Sequence, residues 1–204
     1  MVESFIINQI NSEPLYTTNI MQKLLNTLVI ASAAWVLCGC AGTIPVTYTP
    51  QNFVRYHGEA DIGHFSYKPA EQGKVKPNQL QNTAVGSVYI GVNIAELVQR
   101  ATALELEKTG FVIGDTHPLQ ISGEVLEFKA DDFGYSVLWT YSIRYTIARK
   151  ADSTILFDKI CTAEPKKTGT FSLAADYSPS INEMILAGYD RFIKDSEVRK
   201  IFGQ

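Results

Sequence analysis

His57 and His64, with Glu59 and Asp61 between them, are the one place in the sequence where histidines and carboxylates cluster. Metal binding is the chemistry such donors would perform. The gap between the two imidazoles fits no zinc-ligand motif, however, and the surrounding segment is polar and glycine-punctuated, so solvated loop residues are the simpler expectation and no metal site is assigned. His117 follows Asp115 and Thr116 ahead of a strand pattern and reads as a turn histidine. Asp131 and Asp132 are adjacent, which aims their carboxyl groups apart, and turn formation accounts for them better than acid–base work. Cys161 is a lone thiol on a strand pattern and reads as a buried small hydrophobe. It forms with His117 the only nucleophile and base pair worth testing for a hydrolase. No G-x-S-x-G, phosphate-binding loop or dinucleotide fingerprint occurs, so no catalytic residue and no cofactor are assigned.

Another thiol carries more information. Lys23 precedes an apolar run from Leu24 to Cys38, and the run closes in Leu37-Cys38-Gly39-Cys40. As a helix such a run would reach roughly 22 Å, short of a ~30 Å hydrocarbon core, and it ends in small residues instead of positive charge. It suits cleavage better than spanning, although an uncleaved signal anchor is the alternative. The pattern resembles a bacterial lipoprotein signal peptide, in which a small residue precedes the cysteine that is acylated. That resemblance implies lipidation at Cys40, with acyl chains such as palmitate worth about 0.8 kcal/mol per buried methylene. Glu3, Glu13 and Pro14 fit no part of such a leader, so residues 1–20 read as the product of an upstream start, with translation beginning at Met21. With Cys38 removed and Cys40 acylated, Cys161 would have no disulfide partner.

Composition bounds the rest. The chain is 46% apolar and 19% charged, ordinary for one globular domain. Its net charge of −3 gives no field to gather nucleic acid, which is excluded as a partner. Residues 21–39 read as signal peptide and 40–84 as lipidated N-terminus, tether and irregular arm. Prolines 45, 50, 69 and 77 punctuate that arm, although the patches at Phe53-Val54 and Ile62–Tyr67 could add an edge strand.

The folded domain is expected over 85–204. Val85–Val92 reads as a strand, and Asn93 with Glu96 forms a capping-box pattern for a helix that Gly110 ends. Ile94, Leu97, Val98, Ala101 and Leu104 make the apolar face of that helix, while Glu105, Glu107 and Lys108 are expected to face water. Period two then takes over. Leu119, Ile121 and Val125 alternate with polar residues up to a turn at Asp131–Gly134. Tyr135, Val137, Trp139, Tyr141, Ile143, Tyr145 and Ile147 then fall on one face of a second strand. A loop at 149–153 and a return strand Thr154–Thr162 complete a meander. A polar link holding Pro165, Lys166, Lys167 and Gly169 leads to a last helix, started by Ser180 with Glu183 and carrying Ile181, Met184, Ile185, Gly188 and Phe192 on its apolar stripe; residues 196–202 extend it or add a turn. The expected fold is α+β, a two-layer sandwich with a mainly antiparallel sheet in β-α-β-β-β-α order and helices packed on one face.

Those elements, together with the lipobox at 37–40, resemble the YajG-like family of outer-membrane lipoproteins. The residues that carry the resemblance are Glu107-Lys108-Thr109-Gly110-Phe111, Leu119 to Val125, Asp131 to Ser136 and the terminal helix. The same layout is similar to auxiliary lipoproteins of envelope ABC lipid-transport systems. Either resemblance implies a noncatalytic envelope lipoprotein, a membrane held through the lipid anchor, and a protein or lipid partner. Ala41 in place of aspartate after the acylated cysteine implies the periplasmic side of the outer membrane. Tyr135, Trp139, Tyr141 and Tyr145 form the candidate ligand or partner face, able to line a groove for acyl chains or peptide unless the helices cover it as core.

Overall fold

The longest alternating run of the sequence forms an interior strand of the sheet, within the expected antiparallel meander. The computed structural model describes residues 43–52, 54–82, 87–169 and 177–203, so the expected leader and Cys40 lie outside the described residues. The chain divides between Cys40 and Ala41 into two units, and every described residue belongs to the second. Its elements are β1 (Thr43–Ile44), β2 (Gly58–Tyr67), α1 (Lys68–Glu71), β3 (Gln79–Leu80), β4 (Val88–Ile90), α2 (Ile94–Thr109), β5 (Phe111–Ile113), β6 (Leu119–Asp132), β7 (Ser136–Arg149), β8 (Thr154–Thr162), β9 (Lys166–Gly169), α3 (Tyr177–Ile193) and α4 (Ser196–Ile201).

β6 and β7 pair antiparallel from Leu119↔Arg149 to Asp132↔Val137, with a register shift between Val125 and Glu127. That bulge moves the inward positions from Ile121 and Val125 to Phe128 and Ala130, and so keeps apolar side chains inside where strict alternation would expose them. β8 returns along β7 through the predicted loop, and β9 continues along the same side of β7. The main sheet runs β5-β2-β6-β7-β8, with a smaller sheet ordered β1-β4-β3. Helix α2 packs on β2, β5 and β6, while α3 packs on β7 and β8. Both cover the face that carries Val137, Trp139, Tyr141, Ile143, Tyr145 and Ile147. The opposite face bears ion pairs, Lys68–Glu124 at 3.2 Å and Arg144–Asp158 at 3.7 Å. The fold is α+β, with helices over one face of a sheet.

Several expectations need correction. Residues 58–67, assigned to the irregular arm, form a ten-residue strand, and it is interior to the sheet, parallel to both β5 and β6. A register shift between Ile62 and Phe65 breaks its alternation, so the inward residues are Ala60, Phe65 and Tyr67 and no period-two signal survives in the sequence. Val88–Ile90 joins the small sheet and not the main one. Asn93 occupies the N-cap of α2 without a side-chain cap; the Ile94 N–H donates instead to the Pro77 carbonyl at 2.9 Å. Gly110 ends that helix at φ 111°, as the sequence predicts. α3 starts at Tyr177, which leaves Ser180 buried inside its first turn, and Glu183 pairs with Lys166. The polar link at 166–169 is the strand β9. Asp131 and Asp132 close β6, so the turn itself begins at Phe133.

Candidate functional site

β2 carries the histidine and carboxylate cluster, and the fold disperses it. Glu59 faces His117 at 3.2 Å. Asp61 accepts from Lys150 Nζ at 2.8 Å and Gln120 Nε2 at 3.0 Å, and the Lys150 hydrogen bond, with Gln120 adding to it, holds its carboxyl below the usual range. His64 is exposed on the strand. Among the described residues no group of three or more histidine, cysteine, aspartate or glutamate side chains is placed to hold a metal.

The nucleophile and base pair is not assembled either. Cys161 sits on β8 opposite Ile143, and burial, with Asp195 adding to it, pushes its thiol up to about 11. Such a thiol is protonated at neutral pH and is a poor nucleophile. The charged groups near it are Asp195, Lys159 and Arg191, whereas His117 is engaged with Glu59. Asp132 accepts from the Gly134 N–H and from the Tyr177 hydroxyl, both at 2.8 Å, while Asp131 is buried at the strand end.

The aromatic face becomes core. Trp139 and Tyr145 are 0% exposed and Tyr141 is 1% exposed. Tyr145 stacks on Phe192 of α3 with centroids 4.3 Å apart, and its hydroxyl lies 2.9 Å from Thr102 Oγ1 of α2. Both helices therefore close over these side chains, because an apolar sheet face next to two apolar helix stripes releases more water by packing than by staying open. Only Tyr135, at 75% exposure, remains accessible among the four.

Burial of the tyrosines gives a pH dependence. Desolvation raises Tyr67, Tyr141, Tyr145 and Tyr189 above the ordinary phenol value; it also raises Tyr48, helped by Glu105, and Tyr177 to about 12, helped by Asp132. A folded-state value above the unfolded one favours the protonated native form, so this stability is complete below the unfolded value of about 10 and falls as pH rises beyond it. Absorbance at 295 nm during an alkaline titration is expected to show these phenols ionising together with loss of near-ultraviolet circular dichroism. Smooth ionisation of all tyrosines with the fold intact would contradict it.

The feature that sequence reading missed is Glu105. Expected in water, it is 0% exposed. Its Oε1 accepts from Tyr48 Oη at 2.6 Å and from the Gln51 N–H at 2.9 Å, and its Oε2 accepts from the Asn52 N–H at 3.2 Å. Asn52 Nδ2 then donates to Asp190 of α3 at 3.1 Å, Asn182 Nδ2 donates to the Thr47 carbonyl at 3.1 Å, and the Tyr56 N–H donates to the Thr109 carbonyl at 2.9 Å. Residues 47–52 and 54–56 thus form a strap fastened to both helices, not a tether. A signal was present: Glu105 stands four residues after Ala101 and seven after Val98, on the buried stripe of α2.

Between β9 and α3 lies a concavity of about 620 Å³ lined by Lys166, Glu183, Met184, Ala187 and Asp190 among others. Its charges neutralise one another in the pairs Lys166–Glu183, Arg191–Glu164 and Lys194–Asp190. Among the described residues no helix is long and apolar enough to cross a membrane.

No family model matches the chain, and no curated protein matches it. Solved structures do. Protein XCC0632 from Xanthomonas campestris, described with the family model DUF330, superposes with a TM-score of 0.53 at 9% identity, covering 74% of this chain and 95% of its own. Hypothetical protein CT253 from Chlamydia trachomatis gives a TM-score of 0.42 at 10% identity over 72% and 97% of the two chains. Lipoprotein GNA1162 from Neisseria meningitidis gives 0.39 at 9% identity over 68% and 99%. The first establishes a shared fold; the other two, at lower scores, are similar in outline only.

Proposed function

We propose that this chain is a noncatalytic, lipid-anchored protein of the bacterial cell envelope, of the YajG-like kind, held at the periplasmic face of the outer membrane as a binding or assembly module. The observation that carries the reading is the sequence Leu37-Cys38-Gly39-Cys40 at the end of an apolar run, followed within three residues by the first strand of the domain, at Thr43. Of the candidate groups, Glu59 faces His117, Asp61 pairs with Lys150, Asp132 accepts from the turn and Cys161 is buried. The alternative, an auxiliary lipid-transport subunit of similar layout, needs an apolar groove for acyl chains, and the burial of Trp139, Tyr141 and Tyr145 closes the aromatic face of β7 as that groove. Cells fed radioactive palmitate are expected to label the protein, Cys40→Ser is expected to abolish the label and leave the leader uncut, and fractionation is expected to recover the wild type with the outer membrane. An unlabelled wild type would end the proposal, and recovery with the inner membrane would end its outer-membrane part.

A further inference from the structure

We infer that the turn joining β6 to β7 is a second membrane contact, with Phe133 and Tyr135 entering the interface of the same bilayer that receives the acyl chains on Cys40. This rests on the lipid-anchor reading above. It follows from strand directions and from what the turn exposes.

β6 runs toward the turn, and Gln81 bridges Lys129 of β6 in the parallel sense, so the chain through β3 runs toward the turn as well. β4 is antiparallel to β3, and β1 is parallel to β4. β1 therefore runs away from the turn, and the chain entering it at Thr43 arrives from the side on which the turn lies. Cys40 is three residues upstream, a reach of at most about 11 Å even when fully extended. β1, β4, β3 and β6 are successive neighbours, which at ~4.8 Å per strand puts the entry point roughly 15 Å to the side of β6, and the pairings Thr43↔Tyr89, Gln79↔Tyr89 and Gln81↔Lys129 set it level with Glu127, roughly 20 Å short of Phe133 along the strand. An acyl chain attached within that reach, with the chain arriving from the turn side, holds the domain close to the bilayer and leaves no long tether by which it could stand off.

The turn is dressed for that surface. Phe133 is 49% exposed and Tyr135 75%, on either side of Gly134, whose φ of 81° lets the chain reverse tightly. Lys167 Nζ lies 5.8 Å from the centre of the Tyr135 ring. The Asp132 carboxylate, which would be repelled by anionic headgroups, turns back to accept from the Gly134 N–H and the Tyr177 hydroxyl. Exposed aromatic rings with a long cationic side chain beside them are the composition that settles at the headgroup level, rings in the apolar boundary and ammonium among phosphates. Of the exposed aliphatic side chains, Val112 pairs with Glu59 near the start of β2, Ile155 pairs with Ala148 at the opposite end of β7 and Ile160 pairs with Arg144 midway along β7, and Val54 lies on the strap. A second copy of the chain or an envelope protein would also cover apolar side chains, but neither has a reason to sit at the anchor end.

The test uses the full lipidated protein, purified from membranes and reconstituted into vesicles of phosphatidylethanolamine and phosphatidylglycerol, with and without brominated acyl chains. Phe133→Trp and Tyr135→Trp place an indole on either side of Gly134, and Ile155→Trp places one at the far end as control. Emission from the added indole at either turn position is expected to drop about twofold in brominated vesicles, with none lost in the control. Unquenched emission from both turn variants, in protein that still floats with the vesicles, would overturn this contact and leave the anchor reading standing. A blue shift that grows with protein concentration and ignores bromination would assign the turn to a second copy and overturn it equally. Wild-type protein that fails to float would bring down the anchor reading, and this inference with it.

Discussion

Glu105→Ala is expected to unlatch residues 48–52 from α2 and to lower stability by about 3 kcal/mol, a fall of roughly 8 °C in Tm for a domain of this size. The wild-type carboxylate accepts three hydrogen bonds, from Tyr48, Gln51 and Asn52, all neutral donors. Two outcomes compete once it is removed. If the strap stays, three buried donors lose their partner at about 1–3 kcal/mol each. If it lifts, those donors regain water, and the loss becomes the burial of Tyr48, 7% exposed in the wild type, with the links to Asn182 and Asp190. Lifting is the smaller loss, so the strap should open while the sheet stays folded. Hydrogen exchange is the discriminating measurement: amides of 48–52 should lose protection many-fold more than those of β6 and β7. Glu105→Gln keeps an acceptor but turns a donor toward one of the partners, so about half the loss is expected. Equal loss of protection in strap and sheet would refute the latch.

Gly188→Val is expected to cost about 3 kcal/mol by overpacking. A Cβ at Gly188 would lie 2.5 Å from Tyr141 Cε1 and 3.3 Å from Ile143 Cγ2. Helix propensity pulls the other way, since glycine inside a helix is worth about 1 kcal/mol less than alanine. Sterics win because the Tyr141 ring cannot move aside: it is 1% exposed and packed edge-on against Phe128 with centroids 4.8 Å apart. Gly188→Ala should therefore still destabilise, by roughly 1 kcal/mol net, and urea unfolding midpoints of the two variants should rank alanine above valine. A stabilised Gly188→Ala would show that α3 rides farther from the sheet than this packing requires.

The elements with one uninterrupted period were legible. Residues 137–147 alternate without a break, α2 repeats at helical spacing up to a left-handed Gly110, and β8 has the boundaries that its turn residues imply. Where a bulge resets the phase, the pattern fails, which is why β2 reads as an arm although it lies between β5 and β6. Edge pieces too short to have a period, β1, β5 and β9, were missed for the same reason. The candidate residues fared likewise. Cys161 is buried, as its strand pattern implies, and Asp132 accepts from the turn, whereas Asp131 lies in β6 and not in the turn that its type suggested. Glu105 was misread because a charge on a helix was assigned to water by its type, although its spacing placed it on the buried stripe.

By itself the sequence determined the α+β class, the antiparallel meander of β6, β7 and β8 and the apolar run that ends at Cys40, since each is written in neighbouring residues through period, turn chemistry or composition. Tertiary structure alone decided that the aromatic face of β7 is sealed, that residues 47–52 and 54–56 are strapped across two helices, and that the chain enters β1 from the side on which Phe133 and Tyr135 lie. Those outcomes depend on pairings between residues far apart in the chain, such as Tyr48 with Glu105 and Gln81 with Lys129, and no local period encodes a partner tens of residues away.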